Sequence, residues 1–270
     1  AVTKQSSGSS LDFIIEYDTQ TRSITEEWDM RQYLDVDRKD LVFFAGTDWL
    51  HVNSIWHDAS DNSLVVSGRN QGIVKVGYDK ELKWIMAPHR GWENAGINGN
   101  GFDTKDFLLT AVDQEGNILN PNVQEGIEQA PDFDWTWGQH AAMVFPDGDI
   151  FVFDNGFNRN FRFQTDGYSR AAKFSVDGTS LQVKQTWEYG KLLGAEFWSN
   201  IISDVDYLPI QENVLITAGT NRIGSSIREI SYPNKETIFS ADLIYKNEFS
   251  DGTVWGDFDI MYRSERMPLY

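Results

Sequence analysis

The chain has no cysteine in its 270 residues. Disulfide frameworks, zinc ribbons and thiol chemistry are therefore excluded, and the redox compartment stays open. No apolar run approaches the ~20 residues that a membrane helix needs. The tightest apolar cluster, Leu41 to Ala45, is of strand length. Positive charge is scarce, with 23 Lys and Arg against 41 Asp and Glu, a net charge of −18. That balance argues against a nucleic-acid partner and against anionic lipid, because both need a basic face. Helical periodicity is nearly missing. Its best stretch, Ile24 to Leu34, contains Thr25 to Trp28, which reads equally well as a strand end. Histidine occurs four times, without His-x-His or His-Glu-x-x-His spacing, and Asp35-Val-Asp37 lacks the glycine and distal glutamate of a calcium loop. There is no phosphate-cradling Gly-x-x-x-x-Gly-Lys and no serine nucleophile elbow. No metal site and no cofactor are expected. Residues 1–10, polar and rich in serine, read as a flexible leader without a signal-peptide pattern.

What remains is rich in core-forming residues: 40% hydrophobic and 14% aromatic, too much for a disordered chain. Short alternating or β-branched runs recur at Leu11–Tyr17, Ser63–Ser67, Gly72–Tyr78, Asp149–Phe153, Ala171–Ser175 and Asn213–Thr217. Asp61-Asn62, Asp147-Gly148, Asp177-Gly178 and Pro233-Asn234 supply turn chemistry between such runs. The pattern also repeats. Trp49-Leu-His51 with Val52-Asn53, Trp137-Gly-Gln-His140 and Phe197-Trp-Ser-Asn200 each open a unit. A strand, a polar turn and a second strand ending in Gly or Asn follow each opening. A further strand pair completes each unit, as in Gly72–Tyr78 with Leu82–Ile85. Four antiparallel strands per unit, repeated, predict an all-β chain of β-propeller architecture over residues 11–270. A β-sandwich with coincidental spacing is the alternative. Residues 88–135 break the rhythm and read as a long loop excursion over one face, with a short hairpin at 108–118.

His51 and His140 fall at equivalent places in two units. Inner-strand residues of a propeller face one central channel, so the two would converge there; as core histidines they would merely be satisfied. Arg69 and Arg159 each follow the second strand of a unit, and arginine is the natural fork for an oxyanion. Solvated arginines would fit the same positions. His57 and His89 read as loop or surface residues.

One set of residues goes further: Asp48-Trp-Leu-His51-Val-Asn-Ser54, Gly68-Arg69-Asn-Gln71, Lys83-Trp-Ile85 with His89-Arg-Gly-Trp92, Phe133-Asp-Trp-Thr-Trp137 with Gln139-His140, Phe153-Asp-Asn-Gly156 with Arg159, Tyr168-Ser-Arg170, and Gln185-Thr-Trp-Glu-Tyr-Gly190. In this order it resembles the bacterial arylsulfate sulfotransferases that work without phosphoadenosine phosphosulfate. The resemblance implies a six-bladed propeller, with about four blades in this chain. It also implies transfer of a sulfuryl group from an aryl sulfate to a phenol, with His51, His140 and Arg159 around the sulfuryl group. Asn53, Arg69, Trp137 and Asn155 are expected at the substrate, and Trp49, Trp137 and Trp198 are candidates to stack on the aryl ring. A periplasmic or extracellular location is implied; a fragment, a processed chain or a reduced relative would each explain the missing blades, which a second copy or a companion chain could supply. The family's sulfuryl-accepting histidine is expected after Val214–Thr217, where this sequence reads Ala218 to Gly224 with no histidine. His51 or His140 would then take the role, or the protein would be a non-catalytic module that binds aryl sulfates, other anions or a protein partner.

Overall fold

The computed structural model describes residues 2–6, 9–38, 48–163, 167–221, 224–244 and 260–267. These form four sheets and only short helical turns, so the all-β expectation holds. The apolar run Leu41–Ala45 lies outside the described residues. The first sheet is β1 (Val2–Ser6), β2 (Ser9–Asp18) and β3 (Ser23–Asp29). The second is β4 (Val52–Asp58), β5 (Ser63–Gly68), β6 (Gly72–Gly77) and β7 (Leu82–Met86). The third has the order β8 (Thr110–Ala111), β12 (Gln182–Tyr189), β11 (Arg170–Asp177), β10 (Ile150–Asp154) and β9 (His140–Val144). The fourth is β13 (Asp204–Leu208), β14 (Asn213–Asn221), β15 (Gly224–Ser231) and β16 (Thr237–Leu243). Neighbouring strands are antiparallel throughout, except that β8 joins β12 in parallel.

The sheets stack face against face, and strand alternation explains how. In β5, Leu64 and Val66 point to a core shared with the first sheet, through Ile14 and Trp28. Val65, between them, points the other way, to a core shared with Ile150, Val152 and Phe174 of the third sheet. Both faces of β5 are thus buried, which is why it reads as an uninterrupted apolar run. A third core joins Phe151 and Trp187 to Val214, Ile216 and Ile230 of the fourth sheet. The edge strands β4 and β13 both lie against β9. Asn53 Nδ2 donates to the Gln139 carbonyl at 2.6 Å and Ser54 Oγ to the Ala142 carbonyl at 3.3 Å, which ties β4 to the start of β9.

Two expectations need correction. Residues 2–6 are not a loose leader: they form β1, paired with Ser9 to Phe13 of β2, because an edge strand can be polar along its length. Nor does the stretch 88–135 ride over a face. Leu109, Ala111, Val123, Phe133 and Trp135 are buried in the core between the second and third sheets. Leu109 N–H donates to the Ile85 carbonyl and Val112 N–H to the Val183 carbonyl, both at 2.9 Å, so the segment is a wedge between two sheets. The expected hairpin is present as a bridge between Val112 and Ile118. The ambiguous Thr25–Trp28 is strand, inside β3, followed by a single 3-10 turn at Met30–Gln32.

Residues 260–267 lie against the fourth sheet. Met261 N–H donates to the Gly219 carbonyl at 3.1 Å, Thr217 and Ser264 share a hydroxyl hydrogen bond of 2.6 Å, and Arg266 pairs with Glu229. Close by, Asp204 and Asp206 stand two apart on β13 and hydrogen-bond to each other. Burial, then the Asp206 charge, push the Asp204 carboxyl up to about 7. The folded protein therefore holds a proton that the unfolded chain releases near pH 4. Stability is full below that point and falls as pH rises to about 7. Asp204→Asn should raise stability at pH 8 by on the order of 2 kcal/mol and leave it unchanged at pH 4. Thermal melts at the two pH values check this; an unchanged or lower melting temperature at pH 8 contradicts it.

Candidate active site

The register brings the polar ends of three sheets to one side. Val52 opens β4 opposite Gly68, which closes β5; His140 opens β9 opposite Phe153; Asp204 opens β13 opposite Thr217. The residues entering the inner strands and those leaving the second strands therefore share one end of the molecule.

His140 is 3% exposed and sits at the centre of this end. Its Nδ1 lies 2.9 Å from Asn155 Oδ1 and 3.1 Å from the Gly138 carbonyl. Asn155 Nδ2 donates to the Ser199 and Ile202 carbonyls at 2.7 and 2.8 Å, which fixes the amide with its oxygen toward the histidine. Both neighbours of Nδ1 are acceptors, so Nδ1 carries the hydrogen and Nε2 the lone pair. Burial, aided by the charges of Arg69 and His51 and opposed by the Asn155 bond, lowers the His140 pKa to about 4. The ring is neutral across the physiological range.

His51 enters on a left-handed backbone, with φ of 58°. Asp12 Oδ2 on β2 accepts its main-chain N–H at 2.9 Å, and the Asp48 carboxylate accepts from Nδ1. Its side chain is 41% exposed. Arg69 N–H donates to the His51 carbonyl at 3.0 Å. Its guanidinium reaches from the second sheet to the Asn200 carbonyl, at 3.5 Å, before the fourth, with Cζ 5.5 Å from the Phe157 ring centre. Burial lowers the Arg69 pKa, opposed by Asp48. His51, Arg69, His140 and Asn155 are thus brought together, and Asn53 ties β4 to the same place. Asn53 Oδ1, Gln139 Oε1 and Trp198 Nε1 are buried here with no hydrogen-bond partner among the described residues.

Arg159 is tied into a buried ion network next to Asn155. It is 2% exposed and clamped by two carboxylates, those of Asp134 and Asp154, the latter at 2.9 Å. Asp154 also accepts from Arg170 Nε at 2.8 Å and from the main-chain N–H groups of Trp137 and Gly156 at 2.9 and 3.0 Å. Tyr168 donates to Asp134 at 2.6 Å, and the Arg159 guanidinium lies 4.1 Å from its ring centre. Burial alone would raise the Asp154 carboxyl, but Arg159 and Arg170 overcome it and hold it low. The charges of Arg159 are thereby spent within a buried network that shapes the turn 154–159. Trp137 is likewise core: it is fully buried, edge-on to Phe161 with ring centres 5.0 Å apart. Trp49 is 5% exposed, within the first core.

The sequence reading missed Asp48, Asn200 and Tyr262. Asn200 had a signal, since it occupies in the third unit the place of His51 and His140. Tyr262 had none, because it reaches the site from a distant segment; its ring centre lies 6.4 Å from that of His140. Among the described residues no group of three His, Asp or Glu is placed to hold a metal ion, and no helix is long and apolar enough to cross a membrane.

The all-β scaffold thus brings two histidines and an arginine together at one end. The family model for arylsulfotransferase matches residues 2–253, and the chain belongs to that family. It is 36% identical over 210 residues to the arylsulfate sulfotransferase AssT of Escherichia coli O6:H1, a match covering 74% of this chain and 33% of that protein. Identity to AssT of Lelliottia amnigena is 35% over 211 residues, covering 74% and 34%. The chain thus spans about a third of the length of the curated relatives it matches. Similarity to the solved structure of BamB from Moraxella catarrhalis is remote, with a TM-score of 0.27 at 11% identity, covering 91% of this chain and 77% of that one.

Breaking a buried ion pair strands a charge, at about 3–5 kcal/mol. Asp154→Asn and Arg159→Ala should each lower unfolding stability by about that amount. Urea denaturation monitored by tryptophan fluorescence checks this; a loss under ~1 kcal/mol would show that the network is not structural.

Proposed function

We propose that the chain carries the sulfuryl-transfer site of an arylsulfate sulfotransferase, and that its four sheets are successive blades of a six-bladed propeller. Blades beyond these four would come from outside the described residues. By the same resemblance we place the protein in the periplasm or outside the cell. The observation that carries the reading is His140 itself: a neutral ring, locked with its Nε2 lone pair available, beside Arg69 and His51.

In this reading His140 Nε2 attacks the sulfur of the aryl sulfate. An N–S bond forms as the bond from sulfur to the aryl oxygen breaks. His51, oriented by Asp48, gives its Nε2 proton to the departing phenolate. The acceptor phenol then returns a proton to His51 and attacks sulfur, and the N–S bond breaks. Arg69 offsets the charge on the equatorial oxygens, where most of the catalytic gain in such transfers lies. Arg159 acts at one remove by holding the turn that presents Asn155. A histidine outside Ala218–Gly224 thus serves as nucleophile.

The test is release of nitrophenolate from p-nitrophenyl sulfate with phenol as acceptor. Ping-pong kinetics are expected. His140→Asn should abolish turnover while leaving the fold intact, and Arg69→Ala should cost about 10²–10³ in kcat, the scale of one lost oxyanion donor. Binding of p-nitrophenyl sulfate without any release would instead identify a non-catalytic binding module.

A further inference from the structure

A site for aryl esters needs an aromatic or apolar wall beside the reacting histidine, and two of the three expected tryptophans cannot supply it, while the third, Trp198, is only half-buried. Trp49 and Trp137 are enclosed in cores, at 5% and 0% exposure, and offer no face to a ligand. Tyr262 is 52% exposed. Its ring stands nearly edge-on to His140, at 76° and 6.4 Å between centres, the geometry of a side wall rather than a lid. Its position does not depend on its own contacts. The segment is pinned on both sides of it, by Met261 N–H to the Gly219 carbonyl and by Ser264 to Thr217, with Arg266 paired to Glu229 beyond. Gly219 admits this approach because it lacks a side chain: a Cβ there would lie 2.1 Å from the Met261 carbonyl oxygen. Burial, then the Asp204 charge, raise the Tyr262 pKa and keep its hydroxyl protonated.

We propose that Tyr262 is the aryl-recognition residue: its ring forms the wall on which the aromatic ring of the sulfate ester rests while the sulfur faces His140. This rests on the sulfuryl-transfer reading of the site and names what selects an aryl ester over an alkyl one.

Calorimetric titration of the full chain with p-nitrophenyl sulfate and with methyl sulfate, which has no ring, tests it. The wild-type protein should bind the aryl ester more tightly. Tyr262→Leu should weaken p-nitrophenyl sulfate about tenfold and leave methyl sulfate unchanged, while Tyr262→Phe stays within about twofold of wild type. In turnover the Leu variant should raise KM with kcat held, the mark of lost ground-state binding. Unchanged aryl-ester binding by Tyr262→Leu overturns the proposal and leaves the sulfuryl-transfer reading standing. Equal weakening of both esters also overturns it, because Tyr262 would then only support the segment. If the wild-type protein binds neither ester, both readings fall.

Discussion

The hydrogen bonds of one amide, that of Asn155, organise the site. Its nitrogen donates to two carbonyls before the fourth sheet, and its oxygen is therefore committed to His140 in the third. The same side chain joins two sheets and sets a tautomer. A buried imidazole with two acceptors at Nδ1 can be satisfied only with hydrogen on that atom. The lone pair is then directed from Nε2. Burial keeps the ring from taking a second proton, since an imidazolium with 3% exposure would lack solvation.

Asn155 is itself delivered by the neighbouring ion network. Asp154 accepts from two arginines and two main-chain N–H groups, and the turn 154–159 has little freedom left. The left-handed backbone at Gly156, with φ of 73°, lies where a Cβ would meet the Tyr168 carbonyl at 2.2 Å, so the turn has no room for another residue type. This buried, ion-paired half faces a more open one, with His51 and Tyr262 partly exposed. That division suits a transfer reaction in which one group must be held and others must admit and release substrates.

The strands were legible because central strands such as β5 and β10 are buried on both faces and the repeated turns punctuate them. The repeat drew attention to His51 and His140, since a repeat carries register with it. Ionic pairing was not legible. Arg159 and Arg69 look alike in sequence, each following a second strand. What separates them is that Asp134, 25 residues before Arg159, folds back onto it beside Asp154, whereas Arg69 is directed across to Asn200. The wedge of 88–135 was missed because its buried apolar residues are spaced singly among polar ones, without the period of a strand or helix. Tyr262 was missed because its partner lies more than a hundred residues away in sequence and no repeat marks it.

The state of one ring carries the chemical reading, and nitrogen NMR of selectively labelled histidine observes it directly. His140 should show a protonated Nδ1 and a bare Nε2 from pH 8 down to pH 5, with titration only near pH 4. A bare Nδ1, or an ordinary titration near pH 6.5, would contradict it.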